Sequence, residues 1–111
     1  MPYNLLGKVK TSILSQILGT DYKEFWSPLG LEGLAKTEGD RLDILFIKAS
    51  RPGSGQFREF ILIAQKQYKT IAVWEVWNKR FDKTLAGYGF EETEIIDSDG
   101  FPVKGRIWNA Q

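Results

Sequence analysis

Two residue types that carry much of protein chemistry are missing from this chain, which has no cysteine and no histidine. Without cysteine there is no disulfide, no thiolate zinc site and no cysteine nucleophile. Without histidine the chain lacks the commonest general base near neutral pH and the commonest metal ligand. Ser-His and Cys-His mechanisms are therefore excluded, and we expect no metal cofactor. Acid–base chemistry has to come from Glu, Asp, Tyr, Lys, water or the substrate.

A strong net charge and a long apolar run are lacking as well. The 15 basic and 14 acidic residues leave a net charge of +1, so no overall field attracts nucleic acid or an anionic membrane. Apolar runs such as Ile44-Leu45-Phe46-Ile47 are far shorter than the roughly 20 residues of a membrane span. The N-terminus has no basic segment followed by an apolar stretch, so we read no signal peptide. We therefore expect a cytoplasmic protein with no membrane partner and no nucleic-acid partner. Binding of single-stranded nucleic acid is an alternative, because the aromatic residues could stack on bases.

Length and composition fit one globular domain over residues 1–111. The chain is 42% hydrophobic and 26% charged, which is ordinary for a folded domain of this size. Apolar spacing predicts an N-terminal helix over residues 5–18 and a short helical turn over 21–26. Strands are predicted over residues 31–37, 42–49, 71–77, 92–97 and 101–108. Helices are predicted after residue 55 and after residue 78.

The order of these elements predicts the fold class. A strand, a helix and a second strand, covering residues 42–77, imply a parallel pair joined by a right-handed crossover. Hairpins precede and follow that unit. The fold class is therefore predicted as α/β, with a mixed twisted sheet of about five strands, a parallel central pair and flanking helices.

The loop Gly53-Ser54-Gly55 leaves the first strand of this pair and enters a helix. The first turn of a helix has unpaired N–H groups at the positive end of its dipole, and glycine allows an anion to approach them closely. The backbone amides of Ser54, Gly55 and Gln56 are thus candidates for phosphate binding. The alternative is a flexible turn in which Ser54 caps the helix.

The second half of the chain carries a family resemblance. Asn78 ends a predicted strand, Phe81 follows three residues later, and Gly89-Phe90 follow eleven and twelve residues after Asn78. This spacing resembles the closing motif of the GNAT superfamily of acyl-CoA-dependent N-acetyltransferases. The strand over residues 42–49, its glycine loop and the next helix are similar to the acetyl-CoA pyrophosphate site of that family. The resemblance covers roughly residues 31–108.

The resemblance implies an activity and a set of contacts. In this family two parallel strands separate, the acyl thioester lies between them, and loop amides hold the pyrophosphate. A backbone N–H polarises the thioester carbonyl, an amine attacks it, and a tyrosine protonates the thiolate. We therefore expect an acetyl-CoA-dependent N-acetyltransferase acting on an unidentified amine. The expected cofactor contacts are Arg51, Gly53, Ser54, Gly55, Gln56 and Asn78.

The chain also departs from the family pattern. Pro52 stands where the family has Gln or Arg, with Arg51 one residue earlier, and Phe57 stands at a position kept small. Leu85 occupies the usual tyrosine position, which leaves Tyr88 as the candidate general acid. The family's N-terminal helices are reduced to about one. The chain thus resembles a short or degenerate member of the family, of a phage-encoded type, and a non-catalytic interaction module is the alternative.

Two further expectations concern catalysis and assembly. Glu75 lies within an apolar strand, where a carboxylate must be paired, exposed or functional, and a general base acting through water is the functional interpretation. For Tyr88 the alternative to a general acid is packing or a surface hydroxyl. A shortened N-terminus leaves apolar sheet surface uncovered, which predicts a homodimer.

Overall fold

A computed structural model describes residues 4–11, 13, 21–51, 55–74, 76 and 79–111 of the chain. Within these residues the strands form one seven-stranded mixed sheet in the order β1-β2-β3-β4-β5-β7-β6. Only β4 and β5 are parallel, and the other neighbouring strands are antiparallel. The elements are β1 (Lys8–Thr11), β2 (Lys23–Ser27), β3 (Leu31–Glu38), β4 (Arg41–Ala49), α1 (Gln56–Gln67), β5 (Thr70–Trp74), α2 (Lys79–Gly87), β6 (Glu91–Ile96) and β7 (Pro102–Asn109).

The predicted fold class, a GNAT-like sheet of about five strands with flanking helices, is wrong. The sheet has seven strands. Apart from Ile13, which is helical, the described residues contain two helices, α1 and α2. The two additional strands come from the N-terminal region that was predicted to be helical. β1 follows Gly7, whose φ of 65° interrupts a helix, and it pairs antiparallel with β2. Of the helix predicted over residues 5–18, residues 12 and 14–18 lie outside the described residues.

β2 shows why helical spacing misled the prediction. Phe25 is buried in the core, while the next residue, Trp26, is 40% exposed. This alternation of faces is the period of a strand rather than of a helix. Backbone pairing with β1 and β3 supplies the hydrogen bonds that a short helix would otherwise make. The choice between strand and helix is therefore made by distant neighbours.

The parallel pair itself is present. β4 and β5 are registered from Arg41↔Thr70 to Ile44↔Val73, and α1 connects them. α1 packs on one face of the sheet through Phe60, Ile61 and Ala64, which are fully buried. The ring centroids of Phe57 on α1 and Phe81 on α2 are 4.5 Å apart. The two helices therefore contact each other on the same face of the sheet.

In the residues that the structure describes, no helix is both long enough and apolar enough to cross a membrane.

Candidate functional site

The described pairing of the two parallel strands covers only part of β4. Among the described residues the β4–β5 pairs run as far as Ile44↔Val73, while β4 continues along β3 to Ala49. The register between β3 and β4 shifts at this level, because Leu34 pairs with Phe46 and Ala35 pairs with Ile44. Leu45 is thus the extra residue of a bulge, and a bulge bends its strand. We call the described residues beyond the pair Ile44↔Val73, which are residues 45–49 on β4 and Trp74 on β5, the β4–β5 opening.

The start of α1 lies at the same end of the sheet as the β4–β5 opening, because α1 begins shortly after β4 ends. Gly55 is the N-cap of the helix with φ 88°, and glycine has no side chain that could cap it by a hydrogen bond. Ser54, the alternative cap, lies outside the described residues. A Cβ at position 55 would meet no atom within 4 Å. The backbone at Gly55 is therefore accessible, in a conformation that other residues rarely adopt.

The side chain of Gln56 holds this part of the chain together. Its Oε1 accepts a hydrogen bond from the Arg51 backbone N–H at 2.8 Å. Its Nε2 donates to the Leu29 carbonyl at 2.9 Å and to Ser50 Oγ at 3.1 Å. Gln56 thus ties the end of β4 and the turn before β3 to the first residue of α1. Because the amide is engaged inside the protein, any ligand contact of Gln56 would come from its backbone N–H.

The structure brings together only some of the predicted site residues. Arg51, Gly55 and Gln56 lie at the connection between β4 and α1. The predicted cofactor contacts Gly53, Ser54 and Asn78 and the predicted base Glu75 lie outside the described residues. Their roles stay predictions.

Tyr88, the predicted general acid, lies at a different place. Its carbonyl accepts a hydrogen bond from Gln65 Nε2 at 2.9 Å, and its ring packs against the core. Gln65 is nine residues after Gln56 on α1, which corresponds to about 14 Å along the helix axis. Tyr88 is thus near the opposite end of α1 from Gly55, and the structure does not bring it to the β4–β5 opening.

A buried carboxylate on β4 was missed by the sequence analysis. Asp43 is 4% exposed and points to the face of the sheet opposite α1, since it alternates with the core residues Leu42 and Ile44. Its Oδ2 accepts a hydrogen bond from Arg41 Nε at 2.9 Å. Its Oδ1 accepts hydrogen bonds from Arg41 Nη2 at 3.0 Å and from the indole N–H of Trp74 at 3.1 Å. The sequence signal was a charged residue inside an apolar strand, two positions after an arginine.

Asp43 raises the pKa of two neighbouring side chains, Arg41 and Tyr22. The pKa of Arg41 is raised above its ordinary value, chiefly by its hydrogen bond to Asp43. Burial raises the pKa of Tyr22 to about 12, and the negative charge of Asp43 adds to the rise. Tyr22 therefore keeps its proton at neutral pH, as a hydrogen-bond donor rather than a base.

A cleft of about 910 Å³ lies next to the end of β5. Val76, Pro102 and Val103 give it apolar surface, while Asp82 of α2 and Glu92 and Glu94 of β6 give it carboxylates. Arg106 forms a salt bridge with Asp82, and its Nη2 lies 3.7 Å from Glu92 Oε1. The hydrogen bond from Arg106 lowers the pKa of Asp82. Among the described residues, no three His, Cys, Asp or Glu side chains are grouped so as to hold a metal ion.

Comparisons with protein-family models, with curated proteins and with solved structures found no significant match to this chain. They leave its family open. A function therefore has to be inferred from the residues and the geometry of this chain.

Proposed function

We propose that this protein binds acetyl-CoA and transfers its acetyl group to an amine. The observation that carries the proposal is the bulge of β4 at Leu45, in the β4–β5 opening, with the exposed N-terminus of α1 at the same end of the sheet. Parallel strands that part beyond such a bulge would leave backbone N–H and C=O groups available to an extended ligand. The pantetheine arm and the thioester are such a ligand, and the pyrophosphate suits the helix N-terminus.

Acetyl transfer from a thioester to an amine depends more on the positioning of the two substrates than on particular catalytic side chains. The amine nitrogen attacks the thioester carbonyl carbon, a C–N bond forms, and the C–S bond then breaks. The amine loses one proton and the departing thiolate gains one. A backbone N–H at the β4–β5 opening would stabilise the negative charge on the carbonyl oxygen. Such a reaction requires neither histidine nor cysteine, both of which the chain lacks.

The proton transfers are assigned by elimination. Tyr88 lies toward the far end of α1, so we assign the proton on the thiolate to water rather than to Tyr88. Glu75 remains the candidate for receiving the amine proton through water. The cleft beside Val76 has the size of a small-ligand site and is the place we assign to the acceptor. The cytoplasmic location expected from the sequence stays a prediction.

Ligand binding tests the proposal through Gly55→Val. Wild-type protein should be stabilised by acetyl-CoA, by roughly 2.7 kcal/mol when the ligand is at a hundred times its dissociation constant. Gly55→Val should abolish this thermal shift, because the added branches crowd the approach to the helix N-terminus. The measurement is a thermal-shift titration with acetyl-CoA, CoA and ADP.

The matched control is Gly100→Val. Gly100 has φ 83° and, like Gly55, has no atom within 4 Å of an added Cβ, but it lies in the β6–β7 turn. Both variants therefore carry the same backbone strain, and only Gly55→Val should lose the ligand shift. Wild-type protein that shows no shift at millimolar acetyl-CoA would contradict the proposed function.

A second candidate, a non-catalytic interaction module that forms a homodimer, is favoured by the tip of the β6–β7 hairpin. Ile96 is 64% exposed and Phe101 is 66% exposed. Strongly exposed apolar side chains at the tip of a hairpin are a kind of surface that a partner covers. We expect light scattering at micromolar concentration to report a dimer that Phe101→Ser converts to a monomer. A monomeric wild-type protein would contradict this expectation. Binding of acetyl-CoA distinguishes the two candidate functions, because only the enzyme requires it.

A further inference from the structure

Two aromatic side chains are exposed on one face of the sheet. Trp26 of β2 is 40% exposed, and Phe46 of β4 is 54% exposed. Their neighbours in the chain, Phe25 and Ile47, pack in or against the core, so both rings point to the opposite face of the sheet. Because α1 and α2 bury their apolar residues in the same core as Phe25, neither helix covers the two rings.

Exposed lysines lie on the same face as these rings. Lys8 is directly opposite Trp26 in the pairing of β1 with β2, and Lys10 lies two positions after Lys8 on β1. Lys48 lies two positions after Phe46 on β4. Residues that are directly opposite each other, or two positions apart in one strand, share a face of the sheet. We call Lys8, Lys10, Trp26, Phe46 and Lys48 the aromatic face.

The charges around the aromatic face are arranged by strand. Its lysines lie on β1 and β4, whereas the carboxylates Glu24 and Glu32 lie between them, on β2 and β3. β2 and β4 are about 10 Å apart, because each neighbouring pair of strands is separated by roughly 4.8 Å. Each of the two rings therefore has room to stack on its own planar group, with cations at the margins and carboxylates between.

The net charge of +1, on which the expectation of no nucleic-acid partner was based, does not describe this face. Five of the 14 acidic residues lie at residues 91–99 of the β6–β7 hairpin, and β6 is at the opposite edge of the sheet from β1. A polyanion responds to the charges that it contacts, and lysines that contact phosphates release the counterions bound there. The aromatic face can therefore attract a polyanion although the whole chain is nearly neutral.

We propose that the aromatic face binds single-stranded nucleic acid, with bases stacked on Trp26 and Phe46 and phosphates held by Lys8, Lys10 and Lys48. Exposed rings on a sheet stack on bases of any type, and lysines follow the phosphate backbone. The carboxylates between the lysines can accept hydrogen bonds from the amino group of cytosine. The inference does not depend on acetyl-CoA binding, because these side chains lie on the side of the sheet away from α1.

Fluorescence anisotropy of a labelled oligodeoxycytidine tests the inference, with a length of about 12 nucleotides, which is within the range of known single-strand site sizes. Wild-type protein should bind this probe at low salt. The logarithm of the association constant should fall with the logarithm of the salt concentration with a slope of about −2, because each of three phosphate contacts contributes about −0.7. A duplex of the same length should bind at least about fivefold more weakly, since its bases are not free to stack.

Trp26→Leu and Phe46→Leu test the rings, because leucine keeps an apolar side chain and removes the stacking surface. Each variant should weaken binding at least about fivefold, the lower end of the effect of losing one stacked base. Phe46→Tyr keeps a ring and should bind like wild type. Circular dichroism checks the folding of each variant, and the more exposed Phe46 carries the test if Trp26→Leu does not fold.

Two matched controls lie elsewhere on the molecule. Phe101→Leu makes the same change at a ring that is 66% exposed on the acidic β6–β7 hairpin, and it should alter the affinity by less than about twofold. Lys8→Gln should reduce the steepness of the salt dependence by about 0.7. Lys83→Gln, the same charge change at an exposed residue of α2, should leave the salt dependence as in wild type.

The inference is overturned if the wild type does not bind the probe at low salt. It is also overturned if Trp26→Leu and Phe46→Leu both bind as tightly as wild type, or if Phe101→Leu loses as much as they do, since the probe would then be held by charge alone. Self-association that Phe46→Lys abolishes, without any binding of the probe, would assign the aromatic face to a second copy of this chain. None of these results bears on acetyl-CoA binding, which is measured separately.

Discussion

Gly105→Ala is expected to lower the free energy of unfolding by about 3 kcal/mol or more, because the added methyl group has no space. A Cβ at this position would collide with the Val73 carbonyl oxygen and approach Trp74 Cα to 3.0 Å. Both atoms belong to the backbone of the paired strand β5, so no side-chain rotation relieves the contact. Urea unfolding followed by circular dichroism measures the change.

Gly87→Ala is the matched control for this substitution. Gly87 ends α2, and an added Cβ there would meet no atom within 4 Å. Alanine is favoured over glycine in a helix by roughly 0.5–1 kcal/mol, so this variant should equal or exceed wild-type stability. If Gly105→Ala is as stable as Gly87→Ala, the close approach of β7 to β5 described above is incorrect.

Asp43→Ala should cost roughly 3 kcal/mol of unfolding free energy, because it leaves the buried Trp74 N–H without its acceptor and removes both bonds to Arg41. This loss of stability is at the lower end of what removal of one partner from a buried ion pair usually costs. The reason is that the Arg41 side chain is 42% exposed, so water can solvate its charge once Asp43 is gone. Asp43→Asn keeps an oxygen for Trp74 and should lose clearly less. Equal losses in the two variants would show that the indole hydrogen bond contributes little.

Alkaline titration gives an independent measurement on the Asp43→Ala variant. Because the folded-state pKa of Tyr22 is raised to about 12, its contribution to stability is full below pH 10 and is lost as the pH rises from about 10 to 12. Burial is the larger cause and Asp43 the second, so Asp43→Ala should lower the Tyr22 pKa only in part. The ultraviolet absorbance of tyrosinate measures the ionisation of Tyr22, and the Tyr22→Phe variant shows which part of the absorbance change comes from this residue. An unchanged titration in Asp43→Ala would contradict the proximity of Tyr22 to Asp43.

The local patterns of the sequence were sufficient for much of the C-terminal half. The helix predicted after residue 55 is α1, and the hairpin predicted from strands over residues 92–97 and 101–108 is the β6–β7 hairpin. The parallel pairing of β4 with β5 followed from a helix between two apolar strands. Each of these features depends on residues close together in the chain, and for that reason composition and spacing reveal them.

The tertiary structure decided what depends on distant residues. β1 and β2 are strands because each has a neighbour to pair with, although their apolar spacing fits a helix. Asp43 and Trp74 are 31 positions apart in the chain, and their hydrogen bond exists only because β4 and β5 lie side by side. Gln56 reaches Leu29 across 27 positions in the same way. Spacing along the chain carries no information on such contacts, because the sheet order and the register create them.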